Sequence, residues 1–168
     1  TKTYDGARDN MVPFLDLGAA YRELKADIDR AVMRVMDSGW YVLGPEVEAF
    51  EAECAAWCGA AHGVGLANGL DALTLALRAL DVGPGDEVIV PSNTYIATWL
   101  AVSAVGGTPV AVEPDPATHN IDTTRIKAAI TARTRAIIPV HLYGQPADMD
   151  PILALAKTHG FAVIEDAA

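Results

Sequence analysis

The sequence predicts an α/β fold with a predominantly parallel sheet sandwiched by helices, on three observations. Val88-Ile89-Val90, Pro109-Val110-Ala111-Val112, Ala136-Ile137-Ile138-Pro139-Val140 and Phe161-Ala162-Val163-Ile164 are apolar throughout rather than alternating, as strands covered on both faces are. Helical patterns separate them. Glycine, proline and asparagine mark nearly every junction.

Taken in order, residues 1–11 read as an N-terminal leader and 12–168 as a single domain-forming stretch. From Tyr21, the residues Leu24, Ile28, Ala31, Val32, Val35 and Met36 form an apolar stripe at helical spacing that ends at Ser38-Gly39. Gly39, Gly44 and Pro45 break the pattern around Trp40-Tyr41, and these adjacent aromatics want a surface to cover, either the core or a second subunit. A helix from Glu46 carries Val47, Phe50, Cys54 and Trp57 and stops at Gly59. Val64-Gly65-Leu66-Ala67 reads as a strand, Asn68-Gly69 as a tight turn, and Leu70, Leu73, Leu77 and Leu80 as the face of a helix. Asp86 to Val90 is a strand behind the Gly83-Pro84-Gly85 turn, and Thr94 to Val105 a helix. Asp122 and Asp148 cap the last two helices.

A formal charge of -10 argues against nucleic acid or an anionic membrane as partner, since both need a basic patch. No window approaches about eighteen uninterrupted apolar residues and Thr1 to Asn10 lacks an apolar signal core, so a cytoplasmic protein is expected. Cys54 and Cys58 lie four apart, without the C-x-x-C spacing of a zinc site, which reads as two reduced core thiols; no metal is expected.

Ligands of such folds bind outside the carboxyl ends of the strands. At Asn68-Gly69 a helix begins, and its first backbone N–H groups lack intrahelical partners, making an anion site suited to phosphate. A plain turn at Gly69, with Asp71 favouring the helix dipole, accounts for the same residues. The spacing argues against a nicotinamide fingerprint, because Gly63, Gly65 and Gly69 form G-x-G-x-x-x-G, one residue too long. Asp166 follows an apolar run, and a carboxylate there needs a cation or donors; an arginine, a helix N-terminus or a protonated ring nitrogen each serve. Tyr95 is placed either as a flat wall of the same crevice or as a core tyrosine. His141 at a strand end is either a donor to a ligand or structural. A phosphate cradle, an aromatic wall and a carboxylate are three of four features expected around pyridoxal 5'-phosphate, the fourth being a Schiff-base lysine.

Six motifs in order, Gly44-Pro45-Glu46-Val47, Asn68-Gly69-Leu70-Asp71-Ala72-Leu73, Gly83-Pro84-Gly85-Asp86-Glu87-Val88, Pro91-Ser92-Asn93-Thr94-Tyr95, Pro139-Val140-His141-Leu142-Tyr143-Gly144 and Ile164-Glu165-Asp166-Ala167-Ala168, make the chain resemble the DegT/StrS-type sugar aminotransferases of the aspartate-aminotransferase fold. The resemblance implies that Gly69, Leu70 and Asp71 hold the cofactor phosphate through backbone groups. It also implies that Tyr95 stacks on the ring and that Asp166, the catalytic residue, pairs with the ring nitrogen. The implied activity is transfer of an amino group, usually from glutamate, to a keto-deoxysugar nucleotide by a homodimer. Ser92 to Thr98, Asn120-Ile121-Asp122 and Tyr143 to Asp148 look most like members acting on the 3-keto position of dTDP-6-deoxyhexoses.

The resemblance departs at one point: the family's Schiff-base lysine lies beyond the position matching Ala168. Lys127 and Lys157 fall on helices, and Lys2 and Lys25 come too early to replace it. The chain is therefore expected to be the N-terminal part of a large cofactor-binding domain, with the remainder and a small C-terminal domain following. Two alternatives remain open: a sugar dehydratase of the same family, with histidine in place of the lysine, and a non-catalytic regulatory protein of the same fold.

Overall fold

A computed structural model describes residues 14–168, so the expected leader at 1–11 lies outside the described residues. The chain divides between Gly65 and Leu66 into two compact units.

The first unit holds two helices. α1 (Leu17–Ser38) starts where the Asp16 carboxylate accepts the Gly18 N–H, and it closes at Gly39, whose φ of 67° is the left-handed conformation a residue without Cβ adopts freely. α2 (Pro45–Cys58) begins with proline at a position where no N–H is needed and carries Glu46 and Glu48 at its positive end. Arg34 grips Glu46 through two parallel bonds of 2.9 and 3.0 Å, joining the two helices. Neither helix buries a residue, so the expected α1 stripe stands open.

Trp40 and Tyr41 are likewise exposed, although the Trp40 indole N–H donates to the Val42 carbonyl at 2.7 Å. A Cβ on Gly44 would lie 3.3 Å from that indole, which is why glycine fits there. The expectation of buried thiols fails: Cys54 and Cys58 are free but exposed, because the half-buried face of α2 carries Val47, Glu51 and Ala55 instead. Their proximity pushes the Cys54 thiol pKa up, chiefly through the charge on Cys58.

The second unit is the expected α/β fold. It contains α3 (Gly69–Ala79), β1 (Glu87–Pro91), α4 (Ile96–Ala104), β2 (Thr108–Val112), α5 (Thr123–Ala129), β3 (Thr134–Ile137), a short 3-10 turn (Leu142–Gly144), α6 (Met149–His159) and β4 (Ala162–Val163). The strands lie in the order β2-β1-β3-β4 and every ladder is parallel, with Ile89 opposite Val110 on one side and Ile137 on the other.

Alternation along the central strands sorts the core into two layers. Val88, Val90, Ala136 and Ile138 face Leu73 and Leu77 of α3 and Ala101 and Val102 of α4. Ile89 and Ile137 face Ile126 of α5 and Ile152 and Ala156 of α6. Both faces of the sheet are thus covered, which explains strands without a polar side. Among the described residues no helix is long and apolar enough to cross a membrane.

Three boundaries differ from expectation. Val64 to Ala67 is not a strand: ladders define strands, and those found join β1 to β4 alone, leaving Val64 and Leu66 exposed. β3 stops at Ile137 because Pro139 has no N–H to donate, yet the chain stays extended, with Val140 bridging Asp166. α4 begins at Ile96 rather than Thr94, since Tyr95 keeps an extended conformation (φ −61°, ψ 144°) as its N-cap.

Candidate active site

The carboxyl ends of the strands open on a cavity of about 610 Å³ whose lining includes Gly69, Leu70, Tyr95, Thr98 and Asp166. Its position is the one a parallel sheet supplies where strand ends and helix starts meet.

Asn68 decides which amides at the start of α3 are available. Its side-chain oxygen accepts the Asp71 N–H at 2.9 Å, and its own amide donates to the Asp71 carboxylate at 2.9 Å. The Ala72 N–H is taken by the Asn68 carbonyl at 3.1 Å. Gly69 and Leu70 are left, among the described residues, with N–H groups that have no acceptor. A Cβ built on Gly69 meets nothing within 4 Å, so the space beside its backbone is open. Asp71 therefore differs from expectation: its backbone donor is spent inside the cap.

Asp166 is fixed by its backbone, donating to the Pro139 carbonyl at 3.0 Å and accepting the His141 N–H at 3.0 Å. Its carboxylate has no cation beside it among the described residues. Instead Oδ2 accepts from the Thr98 hydroxyl at 3.1 Å and Oδ1 from the Ala168 N–H at 3.2 Å. The first turn of α4 thus supplies the partner the sequence required. Tyr95, 77 % exposed, stands at the N-cap of the same helix and is among the residues lining the cavity.

His141 does not line the cavity. Its Nδ1 accepts the Ala147 N–H at 3.0 Å, so the ring proton sits on Nε2, which donates to Glu165 at 3.0 Å. That is the structural role among the two considered. Two residues stood in the sequence only as parts of quoted motifs, with no site role assigned to either. Thr98 is polar and buried, and only its placement four residues after Thr94 in the first turns of a helix hinted at a shared inward face. Asn120, also buried, donates to the Gln145 carbonyl at 2.9 Å and accepts the Leu142 N–H at 3.0 Å, pinning the loop that brings Leu142 to the cavity.

A doubly covered parallel sheet with free helix-start amides and a carboxylate on one strand-end cavity defines a ligand-binding α/β domain. Residues 22–168 match the model of the DegT/DnrJ/EryC1/StrS aminotransferase family, and the chain belongs to that family. It is 62% identical over 157 residues to the dTDP-3-amino-3,4,6-trideoxy-alpha-D-glucose transaminase of Streptomyces venezuelae, a match covering 94% of this chain and 41% of the relative. It is equally 62% identical over 157 residues to the erythromycin biosynthesis sensory transduction protein EryC1 of Saccharopolyspora erythraea, covering 94% of this chain and 43% of that one. The crystal structure of S. venezuelae DesV in complex with a ketimine intermediate superposes with a TM-score of 0.91 at 62% identity, over 94% of this chain and 42% of DesV. The chain thus spans less than half the length of the relatives it matches.

Proposed function

We propose that the protein containing this chain is a pyridoxal-phosphate-dependent aminotransferase that moves an amino group, from glutamate, to the 3-keto carbon of a dTDP-linked deoxyhexose. The observation that carries this reading is that Gly69, Leu70, Tyr95 and Asp166 line one cavity. Its volume of about 610 Å³ falls in the range of small-molecule sites.

The residues fit the cofactor. Two free N–H groups at a helix start suit a phosphate, which wants donors and the positive end of the dipole. Asp166, an acceptor already supplied with two donors, suits a protonated ring nitrogen and holds that proton in place by its charge. Tyr95 covers a ring face and excludes water from it. When bound, the cofactor supplies the electron sink for the carbon bearing the amino group. By the family's pattern the Schiff-base lysine follows later in the chain, and residues 12–168 form the N-terminal part of the large domain.

Exposed Trp40 and Tyr41 support a homodimer, because adjacent aromatics are favoured at interfaces. The printed name of the S. venezuelae relative supports the 3-amino assignment. The name of the S. erythraea relative keeps a regulatory reading as the second one, whereas neither name supports a dehydratase. Adding pyridoxal phosphate to the full-length protein and then glutamate separates the two. A cofactor absorbance that glutamate shifts, with aminated sugar nucleotide formed, supports the transaminase. A cofactor band that glutamate leaves unmoved supports the regulator, and no band at all rejects both cofactor-dependent readings.

A further inference from the structure

Thr98 is 1% exposed, and its hydroxyl crosses 68 positions of sequence to donate to Asp166 Oδ2 at 3.1 Å. An ionised carboxylate only accepts, so the Thr98 proton points at Asp166, and the Thr94 hydroxyl, 3.0 Å away, must donate to Thr98. With Oδ1 receiving the Ala168 N–H, both oxygens of Asp166 are held while the carboxylate still borders the cavity. A lone carboxylate at the end of a strand rotates about its side-chain torsions; this one has donors on both oxygens and one of them comes from a fully buried hydroxyl.

We infer that Thr98, backed by Thr94, is a positioning residue that sets the plane of the Asp166 carboxylate for the ring nitrogen of the cofactor. The inference rests on the cofactor reading above. Thr98 touches the carboxylate rather than the nitrogen, so its contribution is confined to interactions that pass through Asp166. Removing the donor costs the geometry of one charge-assisted pair and leaves the phosphate cradle at Gly69 and Leu70 untouched.

The test uses the full-length protein and two probes that form no covalent bond: pyridoxamine phosphate, and its 1-deaza analogue, in which CH replaces the ring nitrogen. Thr98→Val keeps the side-chain shape and deletes the hydroxyl. It is expected to weaken pyridoxamine phosphate about tenfold, the size of one charge-assisted hydrogen bond, and to leave the deaza Kd unchanged. Thr98→Ser, which keeps the donor, is expected to restore binding to within about threefold. Equal losses for both probes, or no loss for either, overturn the inference. If Thr98→Val does not fold, Thr94→Val serves: a loss of about twofold for pyridoxamine phosphate alone supports the relay, and any unselective result overturns it. A wild-type protein that binds neither probe overturns the cofactor reading, and this inference with it.

Discussion

Asn68 and Asp71 hold each other reciprocally, the Asp71 N–H donating to Asn68 Oδ1 and the Asn68 amide donating to Asp71 Oδ2, both at 2.9 Å. The pair does two things at once: it caps α3, and it selects Gly69 and Leu70 as the amides left for a ligand. Asn68→Ala removes the cap and is expected to cost about 1 kcal/mol of stability, read as a lower urea midpoint. Asp71→Ala keeps the Asn68 acceptor and should cost less, about 0.5 kcal/mol, through the helix dipole and the exposed bond from the Asn68 amide. Equal losses would contradict this division of roles.

Gly69→Pro separates the ligand role of that amide from folding. The Gly69 N–H has no acceptor to lose, Asn68 already has the extended conformation (φ −163°, ψ 169°) required before proline, and the space around Gly69 is open. Stability should therefore change by less than about 1 kcal/mol. Affinity of the full-length protein for pyridoxal phosphate should fall about tenfold as one phosphate donor disappears. Unchanged affinity would remove Gly69 from the cradle.

How far the site was legible depended on how local each signal was. Asp166 stood out because a charged residue closed an apolar strand, and Asn68-Gly69 because the helical spacing of the leucines began there. Thr98 was hidden because its partner lies on another element, and a threonine in a helix's first turn is ordinary. The false strand at Val64 to Ala67 shows the limit of composition, since an apolar run specifies a strand only where a neighbouring edge receives it. Cys54 and Cys58 misled for a related reason: periodicity placed them on a face, but burial needs something packed on that face.

At the opposite end of the sheet from the cavity, two carboxylates should govern stability in acid. Glu87, almost buried, is held below the ordinary carboxylate range first by the Thr131 hydroxyl and then by Arg133, whose Nε lies 2.9 Å away. Asp86 is lowered first by Arg135, at 2.9 Å, and then by the Gly83 N–H. Because both pKa values fall on folding, the unfolded chain binds protons first as pH drops. The stabilisation is complete above the unfolded values of about 4 and is lost as pH falls through the lower folded ones. Glu87→Gln and Asp86→Asn should each flatten the fall in urea midpoint between about pH 5 and about pH 2.5. Parallel acid limbs for wild type and variants would show that these pairs contribute nothing to it.

His141 offers a structural prediction that is independent of any cofactor. Its Nδ1 is the acceptor for Ala147, a residue only 5% exposed, whereas Glu165 on the other nitrogen stands in solvent. In nitrogen NMR the neutral imidazole should therefore carry its proton on Nε2 rather than Nδ1. His141→Phe leaves a buried N–H without an acceptor and should cost about 1–3 kcal/mol. Glu165→Gln keeps an acceptor at the exposed end and should cost less than about 1 kcal/mol. The reverse order of losses, or a proton found on Nδ1, would mean that the ring is held by Glu165 and that the Ala147 contact follows from it.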